Sequence, residues 1–270
     1  LIKKNFNKET LGSYLEKEKH SNYFVNYHII PMVAAIWSMP FKEAKDLTLE
    51  FFLKFFINHG LFRLKNRPQW FTVTNRSKTY VNKIIGKISG EVFKNYKVTK
   101  ISRNENNVKV IIGDEYLDYD HVILASHADQ SLNIIESPTK EEKEVLENFK
   151  YLQNTAILHN DARLMPNNKI AWSSWNSISL NGKTCITYWL NNLQNLNRNT
   201  NYFLTLNPIY DINKKNIFTK VNFTHPYFNL NTLQAQKKLD SIQGKKRTWF
   251  CGSYFGYGFH EDGLKSALNL

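Results

Sequence analysis

Arg247-Thr-Trp-Phe-Cys-Gly-Ser-Tyr-Phe-Gly-Tyr-Gly-Phe-His-Glu-Asp-Gly-Leu-Lys-Ser-Ala-Leu268 decides the fold of this chain. Thr248 to Cys251 are β-branched, aromatic or small and suit a covered strand. Gly252 then lets the backbone approach a ligand with no Cβ in the way, and Gly256, Gly258 and Gly263 keep the following turn open. From about His260 the chain is helix-forming, which turns unpaired N–H groups and the positive end of a helix dipole toward whatever the loop cradles. An electron-rich or anionic group fits there.

A second stretch points the same way. Val98 to Ile112 holds two alternating runs around the polar turn Arg103-Asn-Glu-Asn-Asn107, the pattern of a hairpin. Tyr119-Asp-His-Val-Ile-Leu-Ala-Ser126 then predicts a short apolar strand that ends in small residues. An ordinary β-meander of an α+β domain gives the same pattern.

Taken together, the two segments resemble the FAD domain of the flavin-containing amine oxidase family, the group that also holds protoporphyrinogen oxidases and carotenoid desaturases. In that family a strand closing on a small-Gly-acid run leads to a helix whose N-terminus points at the pyrimidine side of the isoalloxazine ring. Cys251-Gly252 matches the small-Gly pair and His260-Glu261-Asp262-Gly263-Leu264 the helix start, while Ser253 stands where the acid is usual. The resemblance implies FAD, with Gly252, Ser253, His260, Glu261, Asp262 and Gly263 around it. It also implies Val98 beside the adenine and Ala125-Ser126 closing the sheet near the cofactor.

The family's Gly-x-Gly-x-x-Gly fingerprint after a strand is nowhere in the sequence, which begins Leu1-Ile-Lys-Lys4 without a methionine and stops a few residues into its last helix. On the resemblance, roughly the first hundred or more residues of the full protein precede this sequence. The family also has a Gly-Gly step before a helix near the flavin, and Asn75-Arg76 occupies that place here.

Upstream, Leu11 to Glu16 predicts a helix capped by Ser13, and Tyr23 to Trp37 an apolar pair of turns interrupted at Pro31. Lys42 to Asn58 predicts one helix, apolar nearly all round and closed by Gly60, either a core helix or the wall of an apolar chamber. A further helix is expected from about Lys78 to Ser89. Thr139-Lys-Glu-Glu142 is a capping box opening another.

Thr155–His159, Ile170–Trp175, Thr184–Leu190 and Tyr202–Leu206 are strand-like runs separated by Asn, Asp, Gly and Pro turns. They resemble the family's substrate-domain sheet. Trp172, Trp175 and Tyr188 there, with Trp70, are the candidate substrate residues, and a plain core role suits each equally. The fold class expected is α/β plus α+β, a partial FAD-binding domain of the amine oxidase type with an interleaved substrate domain of antiparallel sheet and helices. Its parts are the helical substrate region 1–69, the middle FAD segment 70–132, the substrate sheet 133–242 and the C-terminal FAD segment 243–270.

Asn58-His-Gly-Leu61, Arg67-Pro-Gln-Trp70, Ala171-Trp-Ser-Ser-Trp-Asn176, Tyr188-Trp-Leu-Asn-Asn-Leu-Gln194 and Gly256 to Leu264 resemble a bacterial branch of the family often found beside cyclopropane-fatty-acid synthases. That likeness implies an FAD-dependent oxidoreductase acting on an apolar small molecule or acyl chain. A non-catalytic lipid- or flavin-binding module is the alternative. Many members of the wider family carry a lysine that holds a water near the flavin; no residue here matches it, so no catalytic base is assigned.

Composition narrows the remaining choices. A 270-residue chain with 42% hydrophobic residues builds a sizeable core and two lobes. It has no run of the ~18 apolar residues that a membrane span needs. Cys185 and Cys251 are too few for a disulfide framework, which points to a reducing, cytoplasmic setting. The net charge of +13 suits peripheral contact with the inner membrane face, but no dense basic cluster forms beyond Lys245-Lys246-Arg247, and no nucleic-acid partner is expected. His260-Glu261-Asp262 are too close in sequence to converge on a metal, and no His-Glu-x-x-His, Cys-x-x-Cys or Gly-x-Ser-x-Gly spacing occurs.

Overall fold

The computed structural model describes residues 9–180, 183–197 and 199–270, so the opening Leu1 to Lys4 lies outside the described residues. The chain forms two compact units whose segments alternate. A sheet unit runs to Gly90 and resumes over Tyr151–His225, and a meander unit holds Glu91–Lys150 and Pro226–Leu270. The helix Lys140–Leu146 stays with the meander because its Glu142 is bonded to Arg103, and the helix Leu230–Gln236 joins it through Thr232 Oγ1, which donates to Asn148 O at 3.2 Å.

Ten strands are described: β1 (Lys100–Arg103), β2 (Val108–Ile112), β3 (Glu115–Tyr119), β4 (Val122–Leu124), β5 (Lys150–His159), β6 (Trp175–Leu180), β7 (Lys183–Trp189), β8 (Phe203–Leu206), β9 (Ile217–Tyr227) and β10 (Thr248–Phe250). In the meander unit β1, β2 and β3 are antiparallel neighbours, while β4 pairs in parallel with β10, Thr248 opposite Val122 and Phe250 opposite Leu124. The expected single strand from Tyr119 to Ser126 is thus split. Tyr119 closes the meander and Val122 starts the parallel pair.

A buried ion pair holds the meander unit together. Arg103 Nη1 and Nη2 donate to Glu142 Oε1 and Oε2 at 2.7 and 2.8 Å, and Nη1 also donates to Thr248 Oγ1 at 2.9 Å. The capping box expected at Thr139 is present, so Glu142 Oε2 also accepts the Thr139 N–H. Both terminal nitrogens of Arg103 and both carboxylate oxygens of Glu142 are hydrogen-bonded, which offsets the cost of removing both ions from water.

In the sheet unit the strand order is β6-β7-β8-β5-β9, with β6/β7, β7/β8 and β8/β5 antiparallel. Alternation sends Ala156, Ile186, Tyr188, Leu204 and Leu206 to one face, where they meet Ala35 of the helix Ile30–Trp37. Ile157, Cys185 and Ile178 go to the other face, against Leu164, Ile209 and Ile212. The strand expected over Ile170–Trp175 starts only at Trp175. Asn168 turns Lys169–Ala171 into a 3₁₀ helix by accepting from Ile170 N, and Asn176 bonds the Ser173 backbone from both sides.

Three local expectations in the N-terminal helices are corrected. Thr10, not Ser13, caps the first helix, with Ser13 bonding back to it. Pro31 does not interrupt its helix, because the preceding turn Val25–Ile29 widens to a π-helix and makes room for the ring. The long apolar helix is two, Phe41–Asp46 and Leu49–Asn58, divided where Thr48 caps the second by accepting from Phe51 N. The later helix spans Ser77–Ile85. No helix among the described residues is long and apolar enough to cross a membrane.

The second face of the sheet carries a fully buried polar chain. Asp161 N–H donates to His159 Nδ1 at 3.0 Å, so the ring is neutral with its proton on Nε2. Nε2 donates to Thr205 Oγ1 at 2.7 Å, and the Thr205 and Thr187 hydroxyls are hydrogen-bonded to each other at 2.8 Å. Burial holds the imidazole down to about 4, against the opposing charge of Asp161. Since the folded value lies below the unfolded one, this contribution is complete above pH ~6.5 and is lost as pH falls toward 4, on the order of 3 kcal/mol. Urea unfolding at pH 7 and pH 4 should show that loss, and His159→Gln should flatten it; an equal pH dependence in both proteins would contradict the assignment.

Candidate functional site

The expected cofactor segment is built at the carboxyl ends of β4 and β10. Cys251 N–H donates to Leu124 O at 3.0 Å and holds the two strands together for one further step. Past that bond Ala125-Ser126 and Gly252-Ser253 continue without pairing, leaving an open end of the kind at which parallel sheets bind ligands. Gly252 has φ +154, and a Cβ there would stand 2.7 Å from the Tyr254 ring and 3.7 Å from Ser126 O. Only glycine suits this position.

The helix His260–Leu268 is pinned against the open end. Gly252 N–H donates to Ser266 Oγ at 2.9 Å, and that hydroxyl donates to Gly263 O at 2.7 Å. A Cβ on Gly263 would meet only the Ser253 nitrogen, at 3.7 Å. Among the described residues the Ser253 N–H and hydroxyl donate to nothing, although the residue is half-buried. An unpaired donor, a helix start and the side-chain-free position of Gly263 therefore converge at this open end, a setting that suits an electron-rich group.

The other expected cofactor residues differ in role. Asp262 has its carboxylate engaged: Oδ2 accepts from Phe259 N at 3.0 Å, and a side chain at Gly256 would overlap it. His260 and Glu261 are exposed on the first turn, Glu261 within 3.7 Å of Lys265. Ser126 Oγ lies 2.8 Å from Ser131 Oγ, and Ala125 is exposed beside it. Val98 is half-buried just ahead of β1, on the meander sheet and not on the β4–β10 pair. Burial raises the Cys251 thiol above its ordinary value, which argues against its being a covalent attachment point.

Two glutamines hold this loop without having stood out in the sequence. Gln236 Nε2 donates to Tyr254 O and Gly256 O at 2.9 and 2.7 Å. Gln243 pairs with Phe250 in both directions, donating to its carbonyl at 2.9 Å and accepting its N–H at 2.8 Å, as a neighbouring strand would.

In the sheet unit the candidate substrate residues separate. Trp175 and Tyr188 face each other across β6 and β7 with ring centres 5.4 Å apart, on the face that meets Ala35. Trp172 lies on the opposite face, edge-on to Trp189 and Phe203, with its Nε1–H given to Pro166 O at 2.8 Å. Trp70 is 69% exposed, its ring roughly parallel to that of His59. A single chamber lined by Trp172, Trp175 and Tyr188 together is thus not formed. Burial pushes the Tyr188 phenol up to about 12, so it stays protonated at neutral pH.

No family model matches the sequence, and no curated protein matches it. Solved structures do. A CLA-producing fatty acid isomerase from P. acnes aligns over 99% of this chain and 67% of its own, at 12% identity and a TM-score of 0.65. Wild-type putrescine oxidase bound to putrescine aligns over 98% and 67%, at 11% identity and a TM-score of 0.67. Cyclohexylamine oxidase from Brevibacterium oxydans IH-35A aligns over 98% and 66%, at 10% identity and a TM-score of 0.59. The chain spans about two thirds of the length of each and has the mixed helix-and-sheet fold of these amine oxidases and of the fatty acid isomerase.

Proposed function

We propose that this chain is the C-terminal cofactor cradle and the substrate sheet of an FAD-dependent oxidoreductase acting on an apolar substrate, a fatty acyl chain being the favoured class. The observation that carries the reading is the open end of β4 and β10, where Ser126, Gly252, Ser253 and Gly263 come together. When bound, FAD supplies the hydride acceptor.

The chain's own part is positioning. Gly263 keeps a side chain out of the cradle, Gly252 gives the backbone a conformation that L-residues avoid, Ser253 offers its N–H and hydroxyl, and the helix start at His260 would present the positive end of its dipole to an electron-rich group held there. Trp175 and Tyr188 supply an apolar face for the substrate and exclude water from it. Tyr188, protonated, can donate a hydrogen bond but does not serve as a base.

A flavin- or lipid-binding module without activity is the second reading, supported by the aromatic sheet face. Anaerobic mixing of the FAD-loaded full-length protein with phospholipids and fatty acids, methylated and cyclopropanated ones included, should bleach the flavin band. Trp175→Ala, at a position 46% exposed, should slow bleaching about tenfold with little loss of stability. Reduction by amines but by no lipid would overturn the substrate class, and reduction by neither would favour the binding module.

A further inference from the structure

The sheet unit holds a pocket of about 490 Å³ lined by Leu158, Leu190, Leu196, Tyr202 and Gln194, with the exposed Arg76. It continues the aromatic face of the sheet. Leu158 stands opposite Leu204, Leu204 opposite Tyr188, and Tyr188 opposite Trp175, and such partners on neighbouring strands share a face. The chain after β7 closes the pocket. Leu190 N–H donates to Tyr202 O, Gln194 N–H to Leu190 O and Leu196 N–H to Asn191 O, each at 2.9 Å, while Asn191 Oδ1 accepts from Tyr202 N at 2.7 Å. These bonds hold Leu190, Gln194, Leu196 and Tyr202 together.

One polar atom in this apolar setting is unsatisfied. Gln194 Oε1 is buried with no hydrogen-bond partner, a state that costs more than leaving the acceptor in water. An apolar side chain of similar size would avoid that cost, so the amide points to a ligand that donates to it.

The acceptor and the walls restrict what that ligand is. A carboxylate brings only further acceptors to Oε1. An ammonium donates, but no Asp or Glu lines the pocket and the sequence has none between Asp161 and Asp211, so its charge would leave water without a counter-ion. A hydroxyl donates and carries no charge. We infer that this pocket binds an apolar chain bearing a neutral hydroxyl, the hydroxyl donating to Gln194 Oε1 and the chain lying against Leu158, Leu190, Leu196 and Tyr202. The volume lies in the range of small-molecule pockets. The inference rests on the apolar-substrate reading proposed above and deepens it by giving the substrate a hydroxyl, and its test does not pass through the flavin.

Titration calorimetry of the full-length protein with octanol, heptyl methyl ether and octylamine is the measurement. The ether is an isomer of octanol that accepts hydrogen bonds and donates none. Octanol should bind about tenfold more tightly than the ether, and octylamine should bind most weakly. Gln194→Leu should remove the octanol preference while the melting temperature stays level or rises, since no acceptor is left buried and unpaired. Leu196→Trp, which fills the pocket, should weaken octanol and ether alike. Equal binding of octanol and ether by the parent protein, an undiminished preference in Gln194→Leu, or octanol binding untouched by Leu196→Trp would overturn the inference. Gln194-dependent octanol binding by a protein that never takes up flavin would uphold this site and sink the oxidoreductase reading. Flavin uptake without octanol binding would sink this site and leave that reading standing.

Discussion

Arg103→Ala is expected to destabilise the chain by about 3–5 kcal/mol, because it leaves the fully buried Glu142 carboxylate without its counter-ion. The guanidinium has a side-chain exposure of 2% and Glu142 of 0%, so water cannot take over its role. The variant should also release Thr248 at the start of β10, and FAD affinity should fall with stability. Chemical denaturation checks the first effect. Replacing both partners, as in Arg103→Leu with Glu142→Leu, should recover most of the loss, since no buried charge remains. A single variant that costs under about 1 kcal/mol would show the pair to be wetter than this geometry implies.

Gly263→Val is expected to abolish flavin retention, at least about a hundredfold in affinity, with nearly unchanged circular dichroism and melting temperature. A Cβ at Gly263 meets only the Ser253 nitrogen at 3.7 Å, an ordinary contact, so a side chain there fills ligand space and disturbs little protein. Gly252→Val differs in kind. Its side chain would run into the Tyr254 ring from a backbone that L-residues avoid, so it should lose stability as well as flavin. The two variants separate a damaged cradle from a damaged fold. If Gly263→Val kept full FAD affinity, the helix start would not be where the cofactor lies.

The strand, loop and helix start of the proposed cradle were legible in the sequence because they are local. A strand, four glycines and a helix start lie within the sixteen residues from Thr248 to Gly263. The Thr139–Glu142 capping box was legible for the same reason, whereas its bond to Arg103 spans 39 residues and leaves no spacing to read. Strand β9 escaped because it is an edge strand with Phe218, Val221 and Phe223 about half exposed and Pro226 near its end, so no buried alternation marks it. Trp172 and Trp175 look like neighbours in sequence. The 3₁₀ turn before them and the bond network of Asn176 place them on opposite faces of one sheet. Asn75-Arg76 seemed to remove two permissive positions, yet the backbone keeps positive φ at both, which no side-chain pattern reveals.

FAD is expected at the open end of β4 and β10, and the visible spectrum of the purified full-length protein decides whether it is held there. Flavin absorbance should stay with the protein through gel filtration and be released by acid precipitation, because Ser253, the glycine backbone and the helix start would hold the cofactor without a covalent bond. A well-folded, colourless protein that remains apo when FAD is added would contradict it.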